Sequence, residues 1–144
     1  MNRLGLSAGV AAALALAGCA TVPETAPQRL VVECPVGQEA RSTAQLFFGR
    51  NTGDRPAVSD DDFRRFVDTG LTPRFPEGLT VLDGGGQWRD ASDNLIREAS
   101  KVVLLVLPET GDPQSRVEAV RTAYKTRFHQ DSVLLITQRS CVSF

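Results

Sequence analysis

Histidine is nearly absent from this chain: one occurs in 144 residues, and methionine, tryptophan and tyrosine also occur once each. A lone imidazole does not build a zinc site, and no Cys-X-X-Cys pair makes up the deficit. A dominant charge is missing too, since 16 basic residues face 17 acidic ones without a basic block. That balance leaves no electrostatic footprint for a nucleic acid. Phosphate-binding motifs are also lacking. The consecutive glycines Gly84, Gly85 and Gly86 open neither a G-x-x-x-x-G-K-[ST] loop nor a G-x-G-x-x-G fingerprint, because Gln87, Trp88, Arg89 and then a turn follow them. No nucleophile, base and orienting group are legible together. The reading therefore assigns no cofactor and no metal.

What is present begins with a targeting pattern. Arg3 supplies a positive start, and Leu4 to Leu16 is an uncharged run of apolar and small residues. The run is too short for a comfortable membrane span and has the proportions of a signal-peptide core. It ends in Leu16-Ala17-Gly18-Cys19, which resembles a bacterial lipobox. Residues 1–18 are expected to be removed, leaving Cys19 to carry diacylglycerol on sulfur and an acyl group on its amine. Each buried methylene contributes about 0.8 kcal/mol, so several chains hold firmly where one holds weakly. Ala20, where Asp would favour inner-membrane retention, points to the outer membrane facing the periplasm. Residues 19–40, with Pro23, Pro27 and Pro35, read as the lipidated cysteine and a tether, and residues 41–144 as one domain. In such an oxidising compartment Cys34 and Cys141 form a candidate disulfide.

The domain reads as alternating strands and helices. Ser42 to Arg50 is a strand, and a loop punctuated by Gly53 and Pro56 follows it. Ser59 is a helix N-cap, Asp60 to Asp62 favour the positive end of the helix dipole, and Gly70 is the expected residue after the C-cap. Capping explains the aspartate run better than a metal site. A strand from Leu79, a turn around Asp90 to Asn94 and a return strand to Pro108 make a long hairpin. A second helix from Pro113 places Val117, Val120, Tyr124 and Phe128 on one stripe, which favours core packing for Tyr124. His129 lies off that stripe at the helix end, where a solvated imidazole is unremarkable. Residues 132–144 form the last strand. The order β-α-β-β-α-β predicts an α+β, ferredoxin-like two-layer sandwich, with two helices on one face of a four-stranded antiparallel sheet. In its fourth-first-third-second strand order, Cys34 and Cys141 come to the same end of the sheet.

Closing the hairpin at Asp90 to Asn94 puts Trp88 opposite Ile96, Gly86 opposite Glu98, Gly84 opposite Ser100 and Asp83 opposite Lys101. Leu82, Trp88, Glu98 and Ser100 then share one face, and Gly84 and Gly86 leave a dent beside Glu98. The preferred structural reading is that the glycines allow a bulge and that Glu98 pairs with an arginine or backbone amides. The functional alternative is a pocket. The stretches QLFF, VVLLVL and SVLLI are apolar on both faces, so the face without helices is expected to be covered by a homodimer or by added segments.

The stretches LFFGRN, VSDDDFRRFV, LTPRFPEGLTVLDGGGQWRD, REASKVVLLV and AYKTRFHQDSVL, with the terminal CVSF, resemble the bacterial lipoproteins of domain of unknown function (DUF) family 3574. The resemblance runs from about Gln45 to the C-terminus and implies a small envelope domain without implying an activity. The reading is thus a non-catalytic binding or structural module of the periplasm, joined to the membrane through Cys19. The alternative is a small enzyme with a pocket between sheet and helices. Its candidates are Glu98 as acid or base, Ser100 and Trp88 as lining, and Arg50 and Arg74 as clamps for an anionic group of an unidentified small molecule. Either arginine alone is better explained as solvated or ion-paired.

Overall fold

The computed structural model describes residues 32–52 and 55–144. The expected signal segment, Cys19 and Gly53 lie outside the described residues. Strand β1 spans Glu39–Gly49, three residues earlier than its sequence pattern indicates. Two-residue strands β2, Asn51–Thr52, and β3, Arg55–Pro56, pair with each other in the loop that follows. Helix α1 is Asp60–Phe66, β4 is Leu79–Arg89 and β5 is Leu95–Val106. Helix α2 is Pro113–Phe128, and β6 is Leu134–Val142. The four long strands form one antiparallel sheet in the order β4-β5-β1-β6, the expected arrangement of second, third, first and fourth.

Alternation along the strands assigns the faces. Ala44, Leu46 and Phe48 of β1 and Val103 and Leu105 of β5 are buried with Phe63 and Phe66 of α1 and Val117, Val120 and Tyr124 of α2. Apolar residues at every second strand position meet helical stripes, so one two-layer core results. Phe48 is at its centre, with edge-on rings of Tyr124 at 4.7 Å and Phe63 at 5.5 Å. Such tilted pairs place the positive ring edge against a negative ring face.

Both helix starts follow the residues that cap them. Ser59 Oγ accepts the Asp62 N–H at 3.1 Å, and Asp112 accepts the Ser115 N–H at 2.9 Å with Pro113 in the first turn. The end of α1 departs from expectation. Gly70 does not stop the helix in a left-handed conformation; the chain widens instead into a π turn, Val67–Leu71. A Cβ on Gly70 would stand 3.2 Å from the Phe66 ring, so the glycine admits that ring to the core. Cys34 and Cys141 are disulfide-bonded, with their Cα atoms 5.4 Å apart. The bond ties the start of the described chain to the end of β6.

Candidate functional site

The hairpin holds the register that its opposite charges and apolar pairs predict. Trp88 pairs with Ile96, Gly86 with Glu98, Gly84 with Ser100 and Asp83 with Lys101, without a break from Leu79 to Arg89. The expected bulge is therefore absent, because three glycines fit an unbroken ladder when their partners supply the hydrogen bonds. The turn is fixed by Asp90, whose carboxylate accepts the N–H groups of Ser92 and Asn94 at 2.8 and 2.9 Å. These bonds hold the Asp90 carboxyl below its ordinary pKa, the Asn94 side-chain amide being the largest cause.

The dent beside Glu98 lies on the sheet face that carries no helix, not between sheet and helices as the enzyme reading supposed. The space under the helices is filled by Phe48, Tyr124 and their neighbours. On the open face an 800 Å³ groove runs between the hairpin and the loop that follows α2. Phe47, Trp88 and Ile96 supply its apolar wall, and Glu98 and Ser100 supply polar groups from β5. Trp88 stands at the rim, 47% exposed.

Glu98 is held from behind. Its Oε1 accepts the backbone N–H of Asn51 at 2.8 Å, the backbone-amide partner expected for a carboxylate on this face. Gly49 makes that approach possible, since a Cβ there would lie 2.6 Å from Glu98 Oε1 and 2.8 Å from Oε2. Beneath the same glycine, the buried Tyr124 hydroxyl donates to the Gly49 carbonyl at 2.7 Å. Burial pushes the Tyr124 phenol well above its ordinary value, with Glu98 nearby adding to the rise and Arg50 opposing it. Gln130, from the loop after α2, donates to the Asn51 carbonyl. Asn51 is thus bound through its N–H to Glu98 and through its C=O to Gln130.

The glycines of β4 have unequal roles. A Cβ on Gly84 would approach Ser100 Oγ to 3.0 Å, whereas one on Gly86 would meet only the Glu98 carbonyl at 3.9 Å. Packing restricts Gly84; at Gly86 the missing side chain mainly leaves the groove open.

Of the residues singled out from sequence, Trp88, Glu98 and Ser100 converge in this groove, and Arg50 and Arg74 are not among its lining. Arg50 Nε donates to the Val58 carbonyl at 2.8 Å, and its guanidinium pairs with Asp60 at 3.2 Å. Arg74 lies in the loop before β4 and donates to the Gly70 carbonyl at 2.7 Å. Both arginines are occupied in holding loops. The three aspartates of α1 are likewise paired, Asp60 with Lys101 and Arg50, Asp61 with Arg64 and Asp62 with Arg65. His129, expected from sequence only as a solvated imidazole at a helix end, and Asp131 also line the groove. His129 caps α2 in a left-handed conformation, φ 54°, so its off-stripe position brings it toward the sheet end. The βαββαβ topology brings that loop to the same end of the sheet as the hairpin tip, as its order in the sequence implies.

Fold and groove together define a class: small α+β two-layer proteins with an open, partly apolar concavity on a helix-free sheet face. Within that class, residues 43–144 match the family described as protein of unknown function (DUF3574), and the chain belongs to it. No curated protein matches the chain. Among solved structures it is similar to a phage SAM lyase in complex with S-methyl-5'-thioadenosine. That likeness has a TM-score of 0.57 and 18% identity, and covers 81% of this chain and 97% of the other. The apo state of a phage SAM lyase gives a TM-score of 0.57 at 20% identity, covering 79% and 96%. At these identities the likeness is one of fold.

Proposed function

We propose that this chain is an envelope lipoprotein, acylated at Cys19 and anchored in the outer membrane facing the periplasm, whose helix-free sheet face is a non-catalytic binding surface for a small molecule. Support for the location comes from Arg3, the apolar run and the Leu16–Cys19 pattern, together with a disulfide suited to an oxidising compartment. The observation that carries the binding reading is Glu98. A carboxylate fixed by a backbone amide on a partly apolar wall is a preset recognition group, and the groove has the volume of small-molecule sites.

The test is thermal unfolding of the full chain against a metabolite panel, beside Glu98→Gln. A bound metabolite is expected to raise the wild-type midpoint by about 2–4 °C and the variant's by much less. A panel without any shift in the wild type would overturn the reading.

A second reading, a small enzyme, is favoured by one observation. The shared fold occurs in phage SAM lyases, one of them holding S-methyl-5'-thioadenosine, and Glu98, Ser100 and His129 line a single groove here. Glu98 would then serve as acid or base. S-methyl-5'-thioadenosine belongs in the panel for this reason, and chromatographic turnover assays of each stabilising compound separate binding from catalysis.

A further inference from the structure

The groove's charge identifies the kind of ligand it takes. Its lining carries three carboxylates, Asp90, Glu98 and Asp131, with no lysine or arginine. Asp90 is spent on the hairpin turn, which leaves Glu98 and Asp131 as the anionic groups facing a ligand. The cations nearest in the chain face elsewhere: Arg97, beside Glu98, shares with Lys101 the other face of β5, and Arg50 follows the end of β1. Lys101 is on the helix side of the sheet, bound to Asp60 and Asp83, and Arg50 is engaged by Val58 and Asp60. An anion entering this groove would meet two carboxylates, with the single imidazole of His129 as the only basic side chain of the lining. A neutral molecule without a donor would strip water from Glu98 and leave Asn51 as its only hydrogen-bond partner among the described residues, and one with a donor would leave the charge uncompensated. An organic cation corrects both deficits and meets the exposed indole of Trp88, whose ring face attracts positive charge.

We propose that the groove binds a small organic monocation, an amine or substituted ammonium carried on a flat apolar body. Glu98 receives the charged head, and Trp88 with Phe47 and Ile96 receives the body. Gly86 leaves room for that body, and Asp131 adds negative potential from the far side. This inference rests on the binding reading above and specifies its ligand class.

Trp88 is the only tryptophan, so indole fluorescence reports on this site alone. The full chain is titrated with three near-isosteric probes: phenethylammonium, 2-phenylethanol and 3-phenylpropanoate. Phenethylammonium is expected to give a saturable change with an affinity about tenfold or more above the alcohol's, and the carboxylate is expected to bind weakest. Glu98→Gln, which keeps an acceptor for the Asn51 N–H, should bring ammonium and alcohol to nearly equal affinity. Asp131→Asn should narrow the gap less. Equal binding of ammonium and alcohol by the wild type would overturn the cation proposal while leaving the binding reading intact. Discrimination that survives Glu98→Gln would overturn the role of Glu98. No saturable change with any of the three probes would overturn the cation proposal, whereas the metabolite panel decides the broader reading.

Discussion

Gly86 and Gly49 flank Glu98 and predict opposite outcomes when given side chains. A Cβ at Gly86 would find only an ordinary contact at 3.9 Å, and strands favour valine over glycine. Gly86→Val is therefore expected to leave stability unchanged or raise it by about 0.5 kcal/mol while abolishing probe binding, as urea unfolding and Trp88 fluorescence would show. At Gly49, even alanine displaces the Glu98 carboxylate and frees the Asn51 N–H. Gly49→Ala should cost about 1 kcal/mol, and the cost should largely vanish in a Glu98→Ala background when the pair is measured as a double-mutant cycle. Tyr124→Phe removes the donor to the Gly49 carbonyl and is expected to lower stability by about 1–2 kcal/mol.

At the scale of elements, the contact between β5 and α1 sets a pH dependence. Lys101, 9% exposed, reaches Asp60 at 2.7 Å and also binds Asp83. The Lys101 hydrogen bond, aided by Arg50, holds the Asp60 carboxyl below its ordinary 3.8, and Asp60 with Asp83 lifts Lys101 above its ordinary 10.5. The Asp60 contribution is present above pH 3.8 and is lost as pH falls through the lowered value. The Lys101 contribution is present below pH 10.5 and is lost as pH rises through the raised value. Urea midpoints of Lys101→Met should accordingly lose part of both the acid and the alkaline dependence seen in the wild type.

The same hairpin shows how far local patterns reach. Its register was legible because Asp83 and Lys101, and Trp88 and Ile96, fit only one alignment around an Asp90 turn. The absence of a bulge was not legible, since glycine tolerates both a bulge and a regular ladder. Nor was the π turn at Gly70, where the demand for a glycine comes from the Phe66 ring rather than from a helix stop.

For the whole molecule, strand order and the disulfide followed from the sequence because βαββαβ topology brings Cys34 and Cys141 to one end. Their bond closes a separation of 107 residues. Reducing it is expected to lower unfolding stability by about 2–5 kcal/mol, measured with and without thiol reductant. Which sheet face the helices cover was harder to read. β1, β5 and β6 carry apolar residues on both sides, and the charged pair Asp83 and Lys101, which marks a wet face by itself, is on the helix side of the sheet, where Lys101 reaches Asp60 of α1 and Asp83 stays exposed. Placing Glu98 and Trp88 therefore required the three-dimensional packing. The hydrogen bonds that hold Arg50 and Arg74 go to loop carbonyls, which no pattern announces.

The proposed binding requires ligand to enter on the helix-free face beside Glu98. Backbone amide NMR of the isotopically labelled full chain, titrated with phenethylammonium, tests that claim most directly. Saturable shifts are expected, centred on Gly49, Asn51, Gly86, Trp88 and Glu98, with Arg74 and the residues of α1 and α2 facing solvent unmoved. Shifts centred on the helices, or on the loop around Arg74, with the hairpin unmoved would contradict the proposed binding.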